Sequence, residues 1–239
     1  KIEGWTSSTQ FSQVVFQDEF DGTRLRDGWE WTDPREGGEW RERQGWLTMT
    51  VQPGQNLWRG SNYDAPRLLR DAEEDFSVET RLQITNETNP HGGLLVWFDE
   101  NAFIRLEKTS THHAFRGDIR FEQHTERGGE PLVGRGLGLA DAKQLYLRVE
   151  RVGNLFTGYA SDNAVDWVSC GTAFANMGDP TRVGIHALCP GDMPPTITRF
   201  DYFKIGKRPE ESALMDSRLP ASYRSPTRGR RVGMLRKLT

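Results

Sequence analysis

The chain has 239 residues, of which 35% are hydrophobic and 10% aromatic, with eight tryptophans and a formal net charge of −3. No apolar run approaches the ~18 residues of a membrane-spanning helix, and two cysteines, Cys170 and Cys189, give neither a disulfide framework nor a metal-ligand spacing. A transmembrane helix and a small scaffold held by disulfides or zinc are thereby excluded, while one large β domain or two small domains remain open.

In chain order, a first strand is expected over residues 14–20. Leu47, Met49 and Val51 then alternate with Trp46, Thr48 and Thr50. Phe76, Val78, Thr80, Leu82 and Ile84 alternate with Ser77, Glu79, Arg81 and Gln83. Period-2 alternation of this kind predicts strands with one buried and one wet face. Residues 93–99 and 102–108 form two apolar runs around a turn at Asp99–Asn101, and a further strand is expected over 115–124. Leu145, Leu147 and Val149 alternate with Tyr146, Arg148 and Glu150 and lead through Val152-Gly153-Asn154, a tight hairpin, into residues 154–160. Residues 182–188 and 197–205 complete the series. Many short strands separated by turns predict an all-β sandwich or barrel.

After Gly206 the alternation stops, and Pro, Ser and Arg accumulate. Residues 209–219 can form a short helix with Pro in its first turn, and the rest reads as an extended arm. The expected organisation is a sandwich over residues 1–206 and a basic arm over 207–239. The arm holds nine Lys/Arg against three Asp/Glu, so it carries +6 and the remainder −9.

Several segments, in order, resemble one superfamily. They are Phe16-Gln17-Asp18-Glu19-Phe20-Asp21-Gly22, Trp29-Glu30-Trp31 and Gly45-Trp46-Leu47-Thr48-Met49. Next come Asn56-Leu57-Trp58, Ala65-Pro66-Arg67-Leu68, and the hairpin Gly92–Asp99 with Ala102–Leu106. Ser161-Asp162-Asn163-Ala164-Val165-Asp166-Trp167 and the closing Phe200-Asp201-Tyr202-Phe203 follow. Together they resemble the concanavalin A-like lectins and glucanases, nearest to an uncharacterised bacterial and fungal sandwich family and to the non-catalytic domains appended to β-xylosidases. The resemblance spans residues 14–206 and implies a jelly-roll sandwich of two antiparallel sheets. It does not fix a function, because this fold hosts lectins, glucanases and plain structural modules. It also implies a structural calcium where the first and last strands meet, held by Asp201, by Glu19 or Asp18, and by the carbonyl of Gly45. Oxygen ligands of this kind suit Ca²⁺. No other cofactor is expected.

Glucanases of the superfamily carry closely spaced carboxylates of the form E-x-D-x-x-E on a concave strand. Here the nearest pair is Glu107 and Glu122. If their strands pair antiparallel, Arg105 faces Glu122 and Glu107 faces Arg120. An arginine partner favours the ionised carboxylate, whereas a glycosidase general acid needs a raised pKa. The four residues read first as a cross-strand ion-pair ladder and second as a sugar-contacting patch, not as a catalytic pair. The five histidines read as scattered surface residues. Trp29, Trp46, Trp58 and Trp167 fall where the family has aromatics and are expected in the core. Trp40 and Trp97 are less constrained and are candidates for a ligand platform.

The expected function is therefore non-catalytic: a structural or docking subunit of a larger assembly, gripping a protein or an anionic surface through its arm. Tyr223, Arg224, Arg228, Arg230, Arg231, Arg236 and Lys237 would make the contacts, since the arginine fork suits carboxylate or phosphate. The alternative is a carbohydrate-binding, lectin-like module. Nucleic acid is disfavoured by the acidic body. The missing disulfide framework and the basic arm favour the cytoplasmic side, at the periphery of a membrane or a large complex.

Overall fold

A computed structural model of the chain describes residues 11–36, 39–42, 45–84, 89–113, 117–128, 130–139, 141–176 and 181–208. The described residues form strands and turns and no helix, so none is long and apolar enough to cross a membrane. Fifteen strands arise: β1 (Gln13–Asp18), β2 (Glu30–Thr32), β3 (Glu39–Glu42), β4 (Leu47–Val51), β5 (Arg67–Ala72), β6 (Phe76–Gln83), β7 (Gly92–Asp99), β8 (Ala102–Lys108), β9 (Ile119–His124), β10 (Leu132–Arg135), β11 (Gln144–Val152), β12 (Leu155–Ser161), β13 (Val168–Phe174), β14 (Thr181–Ala187) and β15 (Thr196–Lys207).

They build two antiparallel sheets. One has eight strands in the order β13-β12-β11-β6-β15-β4-β3, with β1 also paired to β15. The other has seven, in the order β10-β9-β8-β7-β14-β5-β2. The sandwich expected from the alternation is thus what forms. Val78, Leu82, Leu147 and Val149 from the first sheet meet Leu94, Val96, Ile104, Leu106, Phe121 and Ile185 from the second in one apolar core. Burying a side chain of this size stabilises by about 1.5–3 kcal/mol relative to leaving it in water, and this core runs the length of the sandwich.

The structure adds to these expectations. Strands β2, β3, β5, β10 and β13 are not among the expected ones. Strands β7, β8, β9 and β14 of the seven-stranded sheet are buried on both sides, and the one-wet-face rule fails locally on β6, where Ser77 and Glu79 are buried as well. Cys170 and Cys189 are both buried and both free thiols. Strand β9 starts at Ile119, and Phe115, expected within it, lies outside the described residues, as does the helix expected over 209–219.

Candidate functional site: the outer face of the seven-stranded sheet

Side chains alternate across a strand, so residues next to the core-facing ones point to the sheet's outer face. On β8 these are Phe103, Arg105 and Glu107; on β9, Arg120, Glu122 and His124; on β7, Leu95 and Trp97; on β14, His186. The register aligns them in rows: Phe103 stands opposite His124 and Trp97, Arg105 opposite Glu122 and Leu95, and Glu107 opposite Arg120 and Gly93. Gly93 in turn stands opposite His186.

The first row is a stack. Arg67 lies 4.5 Å over the Trp97 ring, Trp97 stacks on Phe103 at 5.3 Å, and Phe103 stacks on His124 at 4.2 Å. Trp58 meets His124 edge-on at 5.1 Å. Leu57, Ala65, Leu69, Leu95 and Leu188 join Trp97 and Phe103 in a second, smaller apolar cluster, separate from the inter-sheet core. Leu57 and Ala65 come from residues 53–66, which form a roof over this end of the face.

The other rows hold charge. Arg105 hydrogen-bonds Glu122 through Nη2, and the same nitrogen lies 3.7 Å from Glu107. Arg120 Nε is 3.3 Å from Glu122. The register read from the sequence is present, with Arg105 opposite Glu122 and Glu107 opposite Arg120; the first rung is an ion pair, while Arg120 approaches Glu122 on its own strand and Arg105 approaches Glu107. It is more than a ladder, because three histidines join it. His186 Nε2 donates to Glu107 across 2.8 Å, His91 Nε2 lies 3.5 Å from the same carboxylate, and His124 Nε2 lies 3.4 Å from Glu122. The reach of His186 to Glu107 spans a whole strand. Gly93 between them has no side chain, and a Cβ there would fall 2.2 Å from the Leu106 carbonyl oxygen. The His113 ring packs edge-on to His91 at 5.2 Å.

These groups are all but sealed: Glu107 is 2% exposed, Glu122 1%, Arg105 2% and His186 0%. Burial alone would raise both carboxyls. Arg105 beside them, with hydrogen bonds from His186 to Glu107 and from His124 to Glu122, reverses this. Glu107 is held well below the usual carboxylate range and Glu122 at about 2. His186 and His124 move down, first because burial penalises the imidazolium and then because Arg105 repels it. Both glutamates are thus ionised and both imidazoles neutral near neutral pH. Arg105 Nε and Nη1, His91 Nδ1 and His186 Nδ1 are buried without a hydrogen-bond partner among the described residues.

The sequence reading missed this convergence. His124 was in fact legible, since it follows Glu122 and Arg120 at period 2 on the same strand face. His186 was partly so, lying between the core-facing Ile185 and Ala187. His91 precedes β7 in a loop, and nothing local announces it. His112 and His113 lie in the turn after β8, and Asn89 Nδ2 donates to His112 Nδ1 at 2.5 Å.

Trp167 is buried and Trp29 packs against the inter-sheet core, as expected, while two other tryptophan expectations change. Trp97, a candidate platform, is 3% exposed and closed off by Arg67 and Phe103. Trp40 is half-buried against Trp31, at 6.5 Å, and against the inter-sheet core. Trp58, expected inside, is 42% exposed. It lines a small hollow with Arg59, Gln123, His124, Thr125, Gly128 and Pro131.

The residues named for calcium have protein partners. Asp18 is consumed by its own loop: Oδ1 accepts from Phe20 N, and Oδ2 from Arg26 N and the Trp29 indole at 2.9 Å. Those bonds hold Phe20 in the left-handed region at φ 51°. Glu19 accepts from Gln17. Asp201 has a cation already, with Arg81 Nη2 at 2.8 Å. Gly45 sits in a left-handed turn before β4, at φ 76°. Among the described residues no three His, Cys, Asp or Glu side chains gather to hold a metal. The arm residues Tyr223, Arg224, Arg228, Arg230, Arg231, Arg236 and Lys237 lie outside the described residues.

A family model described as the β-xylosidase C-terminal concanavalin A-like domain matches residues 17–205. Among solved structures, the chain is similar to the GH43 BlXynB protein from Bacillus licheniformis, with 18% identity, a TM-score of 0.65, and 80% of this chain covering 39% of that one. It is also similar to the xylan β-1,4-xylosidase of Bacillus halodurans C-125, with 22% identity, a TM-score of 0.59 and the same coverages, 80% and 39%. A functionally unknown protein from Saccharomyces cerevisiae matches with 16% identity and a TM-score of 0.57, over 84% of this chain and 99% of that one. The chain thus spans about two fifths of the length of the first two. No curated protein matches it in sequence.

Proposed function

Because the chain belongs to the family of β-xylosidase C-terminal concanavalin A-like domains, we propose that it is a non-catalytic module acting as a structural or docking part of a larger assembly. One observation carries the reading. Glu107 and Glu122, the carboxylates on the face where a hydrolase of this fold would work, are sealed and tied to Arg105. A glycosidase needs one carboxyl protonated at working pH and both within reach of substrate; this pair offers neither. The face is filled by its own side chains and works as a second core.

The assembly is either the rest of a larger polypeptide, as in the xylosidases the chain resembles, or a separate partner. The basic arm 207–239 is the proposed grip. Its root is fixed to the body: Lys207 donates to the Glu73 carbonyl, and Arg208 lies 3.9 Å from Asp75. Deleting residues 209–239 tests this. The expected result is an unchanged melting temperature with loss of co-purification from the native source, and salt-sensitive binding in the intact chain, since exposed charges are screened within ~8 Å at physiological ionic strength. A truncated chain that melts much earlier yet still co-purifies would move the docking surface to the sandwich. Hydrolysis of xylo-oligosaccharides that vanishes in Glu107→Gln would overturn the non-catalytic reading.

A carbohydrate-binding role draws support from one residue, the exposed indole of Trp58, since sugars stack on such faces. Binding on a glycan array that disappears in Trp58→Ala would favour it.

A further inference from the structure

The outer-face cluster has no room for further positive charge. β8 contributes Arg105 and Glu107, β9 contributes Arg120, Glu122 and His124, β14 contributes His186, and β5 contributes Arg67, buried and opposite His186 in register. The loop before β7 adds His91, and the turn after β8 adds His113. Three arginines face two glutamates, so any proton taken up by an imidazole adds to an excess of positive charge in a sealed space. Glu122 cannot neutralise it freely, because it already binds Arg105 and lies beside Arg120. An imidazolium there needs water, and water must come past the roof.

The roof is fastened by polar contacts at a few points. Its ends are tied through Gln55 and Gly54, which exchange backbone hydrogen bonds with Cys189, through Ala187 N donating to the Pro66 carbonyl, through Gln55 Nε2 donating to Asp33, and through Arg35 bonded to Asp64 at 2.6 Å. Arg67, which stands opposite His186, donates to the Tyr63 and Ala65 carbonyls of the roof. In its middle, Arg59 donates to the Glu126 carbonyl at 3.2 Å and Trp58 leans on His124. Its apolar anchors, Leu57 and Ala65, belong to the smaller cluster and not to the inter-sheet core.

We propose that this cluster is an acid-operated latch: neutral histidines keep residues 53–66 closed over the outer face, and their protonation opens that segment while the inter-sheet core stays folded. The lowered pKa of His124 and His186 agrees with the closed state but is not its basis; the sealed geometry, with three arginines beside the histidines, is. The inference is independent of the docking reading, since its test contains no partner.

Hydrogen exchange on the whole chain tests it, at about pH 7.5 and about pH 5, corrected for the intrinsic pH dependence of exchange. Peptides covering 53–66 should lose protection at least ~10-fold at the lower pH, while peptides from β6 and β11 keep theirs. In His124→Gln/His186→Gln the acid step should disappear. The latch is refuted if 53–66 stays protected at about pH 5, if β6 and β11 open with it, or if the double variant keeps the step. Should that variant not fold, histidine NMR titration of the native chain decides. His124 and His186 must gain their protons in the same pH step that opens 53–66, and protonation without opening refutes the latch.

Discussion

On β8, Ile104 and Leu106 point into the space between the sheets, while Phe103, Arg105 and Glu107 point away from it; all five are buried. The two sides of one strand reach that state by different chemistry. The inner side contributes to a single apolar core drawn from both sheets. The outer side combines a small apolar cluster with a network of arginines, glutamates and histidines. Apolar burial is non-directional and tolerant of small shifts. The ionic side depends on every partner being in place, because each buried charge has lost its hydration and regains it only from neighbours. A third region sharpens the lesson. Glu79, on the outer face of the eight-stranded sheet, is also buried, but it holds Arg148 at 2.7 Å, Lys204 at 2.7 Å and Tyr202 at 2.6 Å. Its partners keep some contact with water, at 14% exposure for Arg148 and 34% for Lys204, where the histidine cluster is sealed.

The largest expected effect breaks the inner side. Leu106→Asp places an unpaired carboxylate among apolar neighbours, at a cost above about 4 kcal/mol, and the chain should fail to fold, as read by far-UV circular dichroism and solubility. Its neighbour tests the outer side. Glu107→Leu removes one partner from Arg105 and His186 and should destabilise by about 3–5 kcal/mol. Replacing a pair together, Arg105→Met with Glu122→Leu, should cost less than the two single changes added, because the two charges that bind each other leave together. Denaturant titration of the three variants measures the coupling. Strict additivity would mean that the ions do not act as a unit.

The inner side was legible in the sequence for a simple reason. Phe76, Val78, Leu82, Leu147 and Val149 announce themselves by period 2, and the period fixes which face they take. The outer side was legible only pairwise. Arg105 with Glu122 and Glu107 with Arg120 follow from two strands and an antiparallel register. Further partners come from β14, where His186 lies 79 residues from Glu107, and from the loop before β7, where His91 lies, and no local pattern encodes that juxtaposition. Burial of both faces was hidden too, because Arg105 and Glu107 carry the residue types of a wet face. Trp58 and Trp97 exchanged roles for the same cause: the position of the roof decides their exposure, and strand periodicity says nothing about it.

Acid separates the two sides next. His124 and His186 have folded-state pKa values below the ordinary 6.5. As pH falls through 6.5, the unfolded chain binds protons that the fold refuses, so stability drops from there downward. Each histidine contributes a slope of about 1.4 kcal/mol per pH unit until its folded pKa is passed. Glu122 adds a second loss at lower pH, from the ordinary 4.5 down to its folded value of about 2. Calorimetry should find a melting temperature that is level above about pH 7 and falls by several degrees per unit below about pH 6.5. In His124→Gln/His186→Gln the first decline should flatten and the second remain. A native profile level down to about pH 5 would place the imidazoles in contact with solvent.

The smallest effect belongs to the edge of the sandwich, where neither chemistry operates. Phe174 ends β13, the last strand of the eight-stranded sheet, and is 67% exposed opposite Leu155, itself 45% exposed. A cross-strand apolar pair on a surface contributes about 0.2–1 kcal/mol, and most of the Phe174 ring already faces water. Phe174→Ser should therefore change stability by about 0.5 kcal/mol or less and leave the melting temperature independent of protein concentration. A loss of about 2 kcal/mol would show that something covers the ring. The concentration series then says what. A melting temperature that rises with concentration in the native chain, and not in Phe174→Ser, identifies a second copy pairing along the β13 edge. An equal loss at every concentration identifies a segment of the same chain.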